Sequence, residues 1–114
     1  MSSPKHGYIT QEQANTHEAM SPLLQSMYLE FQELSKKKPG DVLSISKVRL
    51  VNRLLSNVLK LLENDPVRPF LNDFDEDDLP QNSDVILMLG QVKAAMIGFK
   101  TRYYDSRFGW YVKT

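Results

Sequence analysis

Apolar residues recur at three- and four-residue steps in three segments of this chain, which is the spacing that one face of an α-helix produces. The segments predict helices over residues 21–37, 46–63 and 83–104. The chain has the length of a single domain. We therefore expect an all-α fold, a small three-helix bundle whose helices run antiparallel.

Serine residues mark the predicted helix starts. Ser21 precedes Pro22, the order of an N-cap hydroxyl followed by a proline at the first helical position, where its missing N–H costs nothing. The second helix would begin at Ser46 or at Ser44, and Ser83 would cap the third. The apolar half of the second helix is wide enough to require more than one neighbour.

The segments outside the helices differ in character. Residues 1–16 are polar, so we expect a disordered or loosely packed arm. The alternative is a short extended segment that lies on the bundle through Tyr8 and Ile9. Residues 17–105 would form the helical domain, and residues 106–114 an aromatic C-terminal tail.

The connection between the second and third helices, residues 64–82, is long, acidic and interrupted by Pro66, Pro69 and Pro80. These prolines forbid a continuous helix. Its apolar residues are too many for a free linker, so we expect it to pack on the bundle, with one short helical turn within residues 67–74.

Small residues four positions apart mark one side of the third helix: Gly90, Ala94 and Gly98, which we call the α3 ridge. Glycine inside a helix costs about 1 kcal/mol relative to alanine, so two on one side indicate that something packs closely there. Leu87 and Ile97 flank the ridge. Either the arm or the tail folds over it, or it crosses a helix of a second copy or of a partner.

The tail is the second candidate binding surface. Trp110 and Tyr111 are the residues that we expect to contact a partner, because aromatic side chains dominate interface energetics. In the alternative interpretation Trp110 and Phe108 fold back and complete a small core.

Charge is balanced in total, with 14 basic and 14 acidic residues, but it is segregated along the chain. Residues 36–62 carry seven basic and one acidic residue, and residues 63–84 carry one basic and eight acidic residues. Internal pairing is the simpler interpretation. The alternative is a nucleic-acid-binding surface, with the candidate residues Arg49, Arg53, Lys60, Arg102 and Arg107.

Catalytic and metal-binding constellations are missing from the sequence. It has no cysteine, and both histidines, His6 and His17, lie in or near the predicted arm. The acidic run of residues 73–78 begins like a calcium loop but has Asp78 where the loop requires glycine. We expect no enzyme, no metal and no cofactor.

These patterns predict a non-catalytic protein–protein interaction or regulatory protein, such as an adaptor, chaperone, inhibitor or antitoxin-like protein. It would act through helical self-association, as a homo-oligomer, or by binding a protein partner. Nucleic-acid binding is the alternative. We expect a cytoplasmic protein without membrane contact, because the N-terminus lacks an apolar leader and no apolar run has the length of a membrane span.

Overall fold

The computed structural model describes residues 4–113, so the first three residues of the predicted arm and Thr114 of the predicted tail lie outside it. The three helices are α1 (Gln11–Lys37), α2 (Ile45–Leu61) and α3 (Asn82–Tyr103). A short antiparallel hairpin follows, made of β1 (Tyr104–Asp105) and β2 (Gly109–Trp110). The predicted all-α three-helix fold is confirmed, and the hairpin is an addition. Within the described residues no helix combines the length and apolar character needed to cross a bilayer.

The start of α1 differs most from the sequence prediction. A capping box fixes it: Thr10 Oγ1 accepts from the N–H of Gln13 (3.0 Å), and Gln13 Oε1 accepts from the N–H of Thr10 (2.8 Å). The predictions that residues 11–16 belong to a loose arm and that Ser21 caps the helix are therefore wrong. Pro22 lies inside α1.

A buried stripe runs through that proline and stabilises the longer helix. Ala14, Leu24 and Phe31 are buried on one side of α1, two of them beyond the proline and one before it. Interior proline costs about 3 kcal/mol because it lacks an N–H donor. Burying an apolar side chain contributes about 1.5–3 kcal/mol, so burial on both sides of Pro22 offsets that cost.

The other two helices begin within two residues of the predicted positions. Ser44, the earlier of the two candidate serines, caps α2 by accepting from the N–H of Lys47 (3.3 Å). Gln81 is the N-cap of α3, and its N–H donates to Asp84 Oδ2 (2.9 Å). The prediction that Ser83 caps α3 is wrong by two positions.

The helix directions also correct a prediction. The loop after α1 contacts the start of α3. The side-chain amide of Asn82 donates to the carbonyl of Lys38, and the backbone N–H of Asn82 donates to the carbonyl of Asp41, each at 2.9 Å. The starts of α2 and α3 therefore lie at the same end of the bundle. Both run antiparallel to α1 but parallel to each other, not in the fully antiparallel arrangement expected.

The long connection makes this arrangement possible because it returns along α2. Asn52 of α2 pairs with the backbone of Phe74 in both directions, donating to its carbonyl (2.8 Å) and accepting from its N–H (2.9 Å). Leu71 is buried and Leu79 packs against the core, as predicted for this segment. The expected short turn is a 3₁₀ helix, Arg68–Phe70.

The two ends of the described chain pair with each other. The N–H of Ile9 donates to the carbonyl of Tyr111, and the N–H of Lys113 donates to the carbonyl of Ile9, each at 2.9 Å. Ile9 is buried, whereas Tyr8 stays exposed. The alternative of an extended segment lying on the bundle is thus confirmed for Ile9.

Candidate functional site

A groove of about 880 Å³ lies between α1 and α3, and we call it the α1–α3 groove. Leu24 and Met96 contribute apolar, buried side chains to its lining, and Ile97 lies at its outer edge. Trp110 of the hairpin bounds it near the start of α1. A concave, mainly apolar surface with a few polar groups at its rim is the usual form of a binding site.

Trp110 takes part in both the core and the groove. Its ring lies 4.9 Å from the ring of His17 and 5.2 Å from that of Tyr104, and its Nε1 donates to Glu18 Oε1 (2.8 Å). Phe108, in contrast, is 61% exposed. The interpretation that the tail folds back onto the core is therefore correct for Trp110 and wrong for Phe108.

His17 does not lie in a flexible arm. It is buried in α1, where its Nε2 is 2.8 Å from the carbonyl oxygen of Met96 and its Nδ1 is 3.2 Å from Ser21 Oγ. A carbonyl oxygen can only accept, so Nε2 carries the proton. Burial lowers the pKa of His17 below its ordinary value, because the charged imidazolium loses its hydration there.

This lowered pKa predicts a pH-dependent stability. In the unfolded chain His17 titrates near a pKa of about 6.5, and in the folded chain below it. The unfolded chain therefore binds a proton at His17 at a higher pH than the folded chain does. As the pH falls from about 7.5 towards the lower pKa of the folded chain, the free energy of unfolding decreases. Urea titrations at neutral and mildly acidic pH measure this loss. The loss should be much smaller in His17→Gln, and an equal loss in that variant would contradict the assignment.

The α3 ridge is open to solvent at Ala94 and half-buried at Gly90 and Gly98. Leu87 and Ile97, which flank it, are 65% and 60% exposed, and Ala94 between them is exposed as well. Among residues 4–113, neither the N-terminal segment nor the tail covers the exposed part of the ridge, so the interpretation that either folds over it is wrong. A Cβ at Gly90 or Gly98 would find its nearest neighbour at 3.5 Å, an ordinary contact, so no contact within the described part of the chain requires glycine there.

Two lysines on the α3 wall of the groove, Lys93 and Lys100, were not among the residues predicted from the sequence. Lys93 Nζ lies 4.5 Å from the ring centre of Tyr28, and Lys100 Nζ lies 4.7 Å from that of Tyr104. Among residues 4–113, neither lysine forms an ion pair. Seven residues are two helical turns, so the lysines are about 10 Å apart along α3. The only signal in the sequence was their spacing beside the ridge.

The candidate nucleic-acid-binding residues lie on three elements: Arg49, Arg53 and Lys60 on α2, Arg102 on α3 and Arg107 in the hairpin turn. Arg49 pairs with Glu76 of the acidic connection (Nε to Oε1, 2.6 Å). Arg102 pairs with Asp65, and Arg107 at the hairpin turn pairs with Asp105 (3.4 Å). The remaining two candidates, Arg53 and Lys60, lie exposed on α2. Internal pairing thus accounts for three of the five cations.

Tyr111 has a structural position rather than one in the groove. Its backbone N–H donates to the carbonyl of Tyr103 (2.8 Å), and its hydroxyl donates to Asp105 Oδ2 (3.4 Å). Of the two aromatic residues expected to contact a partner, only Trp110 lines the groove.

Among the described residues, no group of three or more histidine, aspartate or glutamate side chains is placed to hold a metal ion. Comparison of the chain with protein-family models, with curated proteins and with solved structures gives no match.

Proposed function

We propose that this protein is a non-catalytic interaction protein that binds a helix of another protein, or of a second copy of itself, through the α1–α3 groove and the α3 ridge. One observation carries the proposal: Ile97 lines the groove and also flanks the ridge, so the two form one continuous surface. Exposed, contiguous apolar surface is typical of protein interaction sites.

The shape of the surface favours a helical ligand. The two long walls of the groove are the helices α1 and α3, whose backbone groups pair within each helix, so along those walls an extended peptide finds no strand edge to hydrogen-bond. A helix brings its own backbone hydrogen bonds and needs only to bury an apolar stripe. The small side chains of Gly90, Ala94 and Gly98 allow its backbone to approach α3 closely.

Two titratable side chains of the groove, those of His17 and Glu18, are held in structural hydrogen bonds, which favours a binding role over a catalytic one. General acid–base catalysis needs a group free to exchange a proton with the substrate. Both ring nitrogens of His17 are engaged by Met96 and Ser21, and Glu18 accepts from Trp110. A regulatory role in the cytoplasm fits a chain without cysteine. Nucleic-acid binding has weaker support, because most of its candidate cations already pair with carboxylates.

Two exposed alanines give a matched test of this function. Ala94 lies on the ridge, and Ala19 lies on α1 outside the groove. The probe is a helical peptide of about 18 residues, or about five turns, with leucine on one face and glutamine elsewhere. Trp110 is the only tryptophan, so its fluorescence reports binding in the groove.

We expect saturable binding by the parent protein and by Ala19→Arg, and at least tenfold weaker binding by Ala94→Arg, a loss of about 1.4 kcal/mol. Added bulk and charge on the ridge would keep the peptide from approaching α3. Light scattering on the parent protein and the two variants, each without peptide, measures whether Ala94→Arg also weakens self-association. Indistinguishable behaviour of the two arginine variants in both measurements would rule out the ridge as the binding surface.

A further inference from the structure

We infer that the helix bound by the α1–α3 groove is acidic and carries two carboxylate side chains, about two turns apart, that pair with Lys93 and Lys100. This inference rests on the proposed function and specifies the chemistry of the partner. A second copy of this chain and a nucleic acid are the competing occupants.

The two lysines are positioned but unpaired. Each ammonium group lies over a tyrosine ring, that of Tyr28 or that of Tyr104, which holds the side chain in place. Within residues 4–113 no carboxylate pairs with either lysine. An ordered cation loses less conformational entropy on pairing than a free one, so these two positions favour anionic groups on a ligand.

The α1 wall of the groove does not oppose this preference for an anionic ligand. It contributes the uncharged residues Ser21, Pro22 and Gln25. Its one carboxylate, Glu18, lies near the hairpin and is held by the indole of Trp110. A basic helix would therefore face two like charges on α3, whereas an acidic helix forms two attractive pairs.

The acidic connection between α2 and α3 does not fill the groove from within. The acidic connection lies along α2, where Asn52 binds the backbone of Phe74 and Arg49 pairs with Glu76. Its carboxylates therefore lie against another face of the bundle.

A symmetric contact with a second copy is also disfavoured. A two-fold axis brings residues near the centre of the contact close to their own equivalents. An antiparallel contact of two α3 helices centred on Ala94 would place each Lys93 near the other, because Lys93 is the adjacent residue on the groove side. Like charges in that position oppose the contact. A distinct acidic partner avoids this repulsion.

The test compares three peptides that share one leucine face and carry glutamate, glutamine or lysine at the flanking positions. Binding is followed by Trp110 fluorescence at low salt. We expect the glutamate peptide to bind at least tenfold more tightly than the lysine peptide, with the difference shrinking as salt screens the charges. The double variant Lys93→Glu/Lys100→Glu should reverse that order. The control Lys37→Glu/Lys47→Glu, with the same change in net charge at exposed sites outside the groove, should keep it.

Each remaining outcome is decisive. If the three peptides bind equally, or if the Lys93/Lys100 variant keeps the original order, the acidic assignment is overturned while the proposed function stands, because the glutamine peptide still binds. If none of the three binds, the proposed function is overturned as well. A single-stranded oligonucleotide serves as a polyanion without an apolar stripe and should bind weakly. Binding as tight as that of the glutamate peptide would assign the lysines to nucleic acid instead.

Discussion

Trp110→Ala is expected to lower the free energy of unfolding by about 3 kcal/mol, the magnitude found when a large aromatic side chain is removed from a core. The indole contacts the rings of His17, Phe99 and Tyr104, at centroid distances of 4.9, 6.3 and 5.2 Å. Without it, His17 and Phe99 become exposed and the hairpin loses its main contact with the bundle. Urea unfolding followed by circular dichroism measures the change.

Phe108→Ala is the matched control, since it removes an aromatic ring from the same hairpin. Phe108 is 61% exposed and contacts the guanidinium of Arg107, 5.3 Å from its ring centre. We expect a change of no more than about 0.5 kcal/mol, as for most surface substitutions. Equal destabilisation by the two variants, or none by Trp110→Ala, would mean that the tail does not complete the core.

The sequence left two interpretations of the tail open, as part of the core or as a binding surface. Trp110 fits both, because it packs against the core and also lines the groove. Its burial depends on a tight turn that reverses the chain after β1. Gly109 takes a positive φ of 83°, and Asp105 Oδ1 accepts from the N–H of Arg107 (2.7 Å). The N–H of Phe108 donates to the carbonyl of Asp105 (3.2 Å), so residues 105–108 form a β-turn, and aspartate at its first position with glycine just after it are common turn residues. That signal was present in the sequence, but which face of the bundle the hairpin covers was not.

The start of α1 is also encoded locally, although the sequence contains two competing start signals. Thr10 followed three residues later by Gln13 is a capping box. Ser21 and Pro22 gave a competing start signal, and the first turns bury Ala14 and His17, which periodicity analysis weights weakly as apolar residues. In α2 and α3, where valine and leucine form the stripe, the apolar spacing predicts the helix starts to within two residues.

The candidate site was predictable only in part. The α3 ridge follows from helical spacing within one element, so the sequence sufficed to find it. The groove and its lysines depend on how two helices pack, because Tyr28 of α1 positions Lys93 of α3. The parallel directions of α2 and α3 depend in turn on a connection whose path along α2 is fixed by Asn52. Spacing within a segment carries no information about such contacts.

Arg102→Met is expected to lower the free energy of unfolding by about 3 kcal/mol, because it leaves a buried carboxylate unpaired. The Asp65 side chain is only 4% exposed, and that of Arg102 is 28% exposed. Arg102 donates to Asp65 Oδ2, while Asp65 Oδ1 accepts from the N–H of Val67 (3.0 Å). The pair joins the end of α3 to the beginning of the connection, so the loss should also loosen the segment that returns along α2.

A double-mutant cycle separates the charge of Asp65 from its other hydrogen bond. Asp65→Asn removes the charge but keeps an oxygen that accepts from the N–H of Val67. In the Arg102→Met background it should recover most of the lost stability, because no unpaired carboxylate remains buried. A failure of Asp65→Asn to rescue Arg102→Met would show that the arginine acts through its guanidinium, which lies over the ring of Tyr103 (5.7 Å to the ring centre), rather than through Asp65. Rescue would assign Arg102 to the fold, and would remove it from the cations that a nucleic acid could contact.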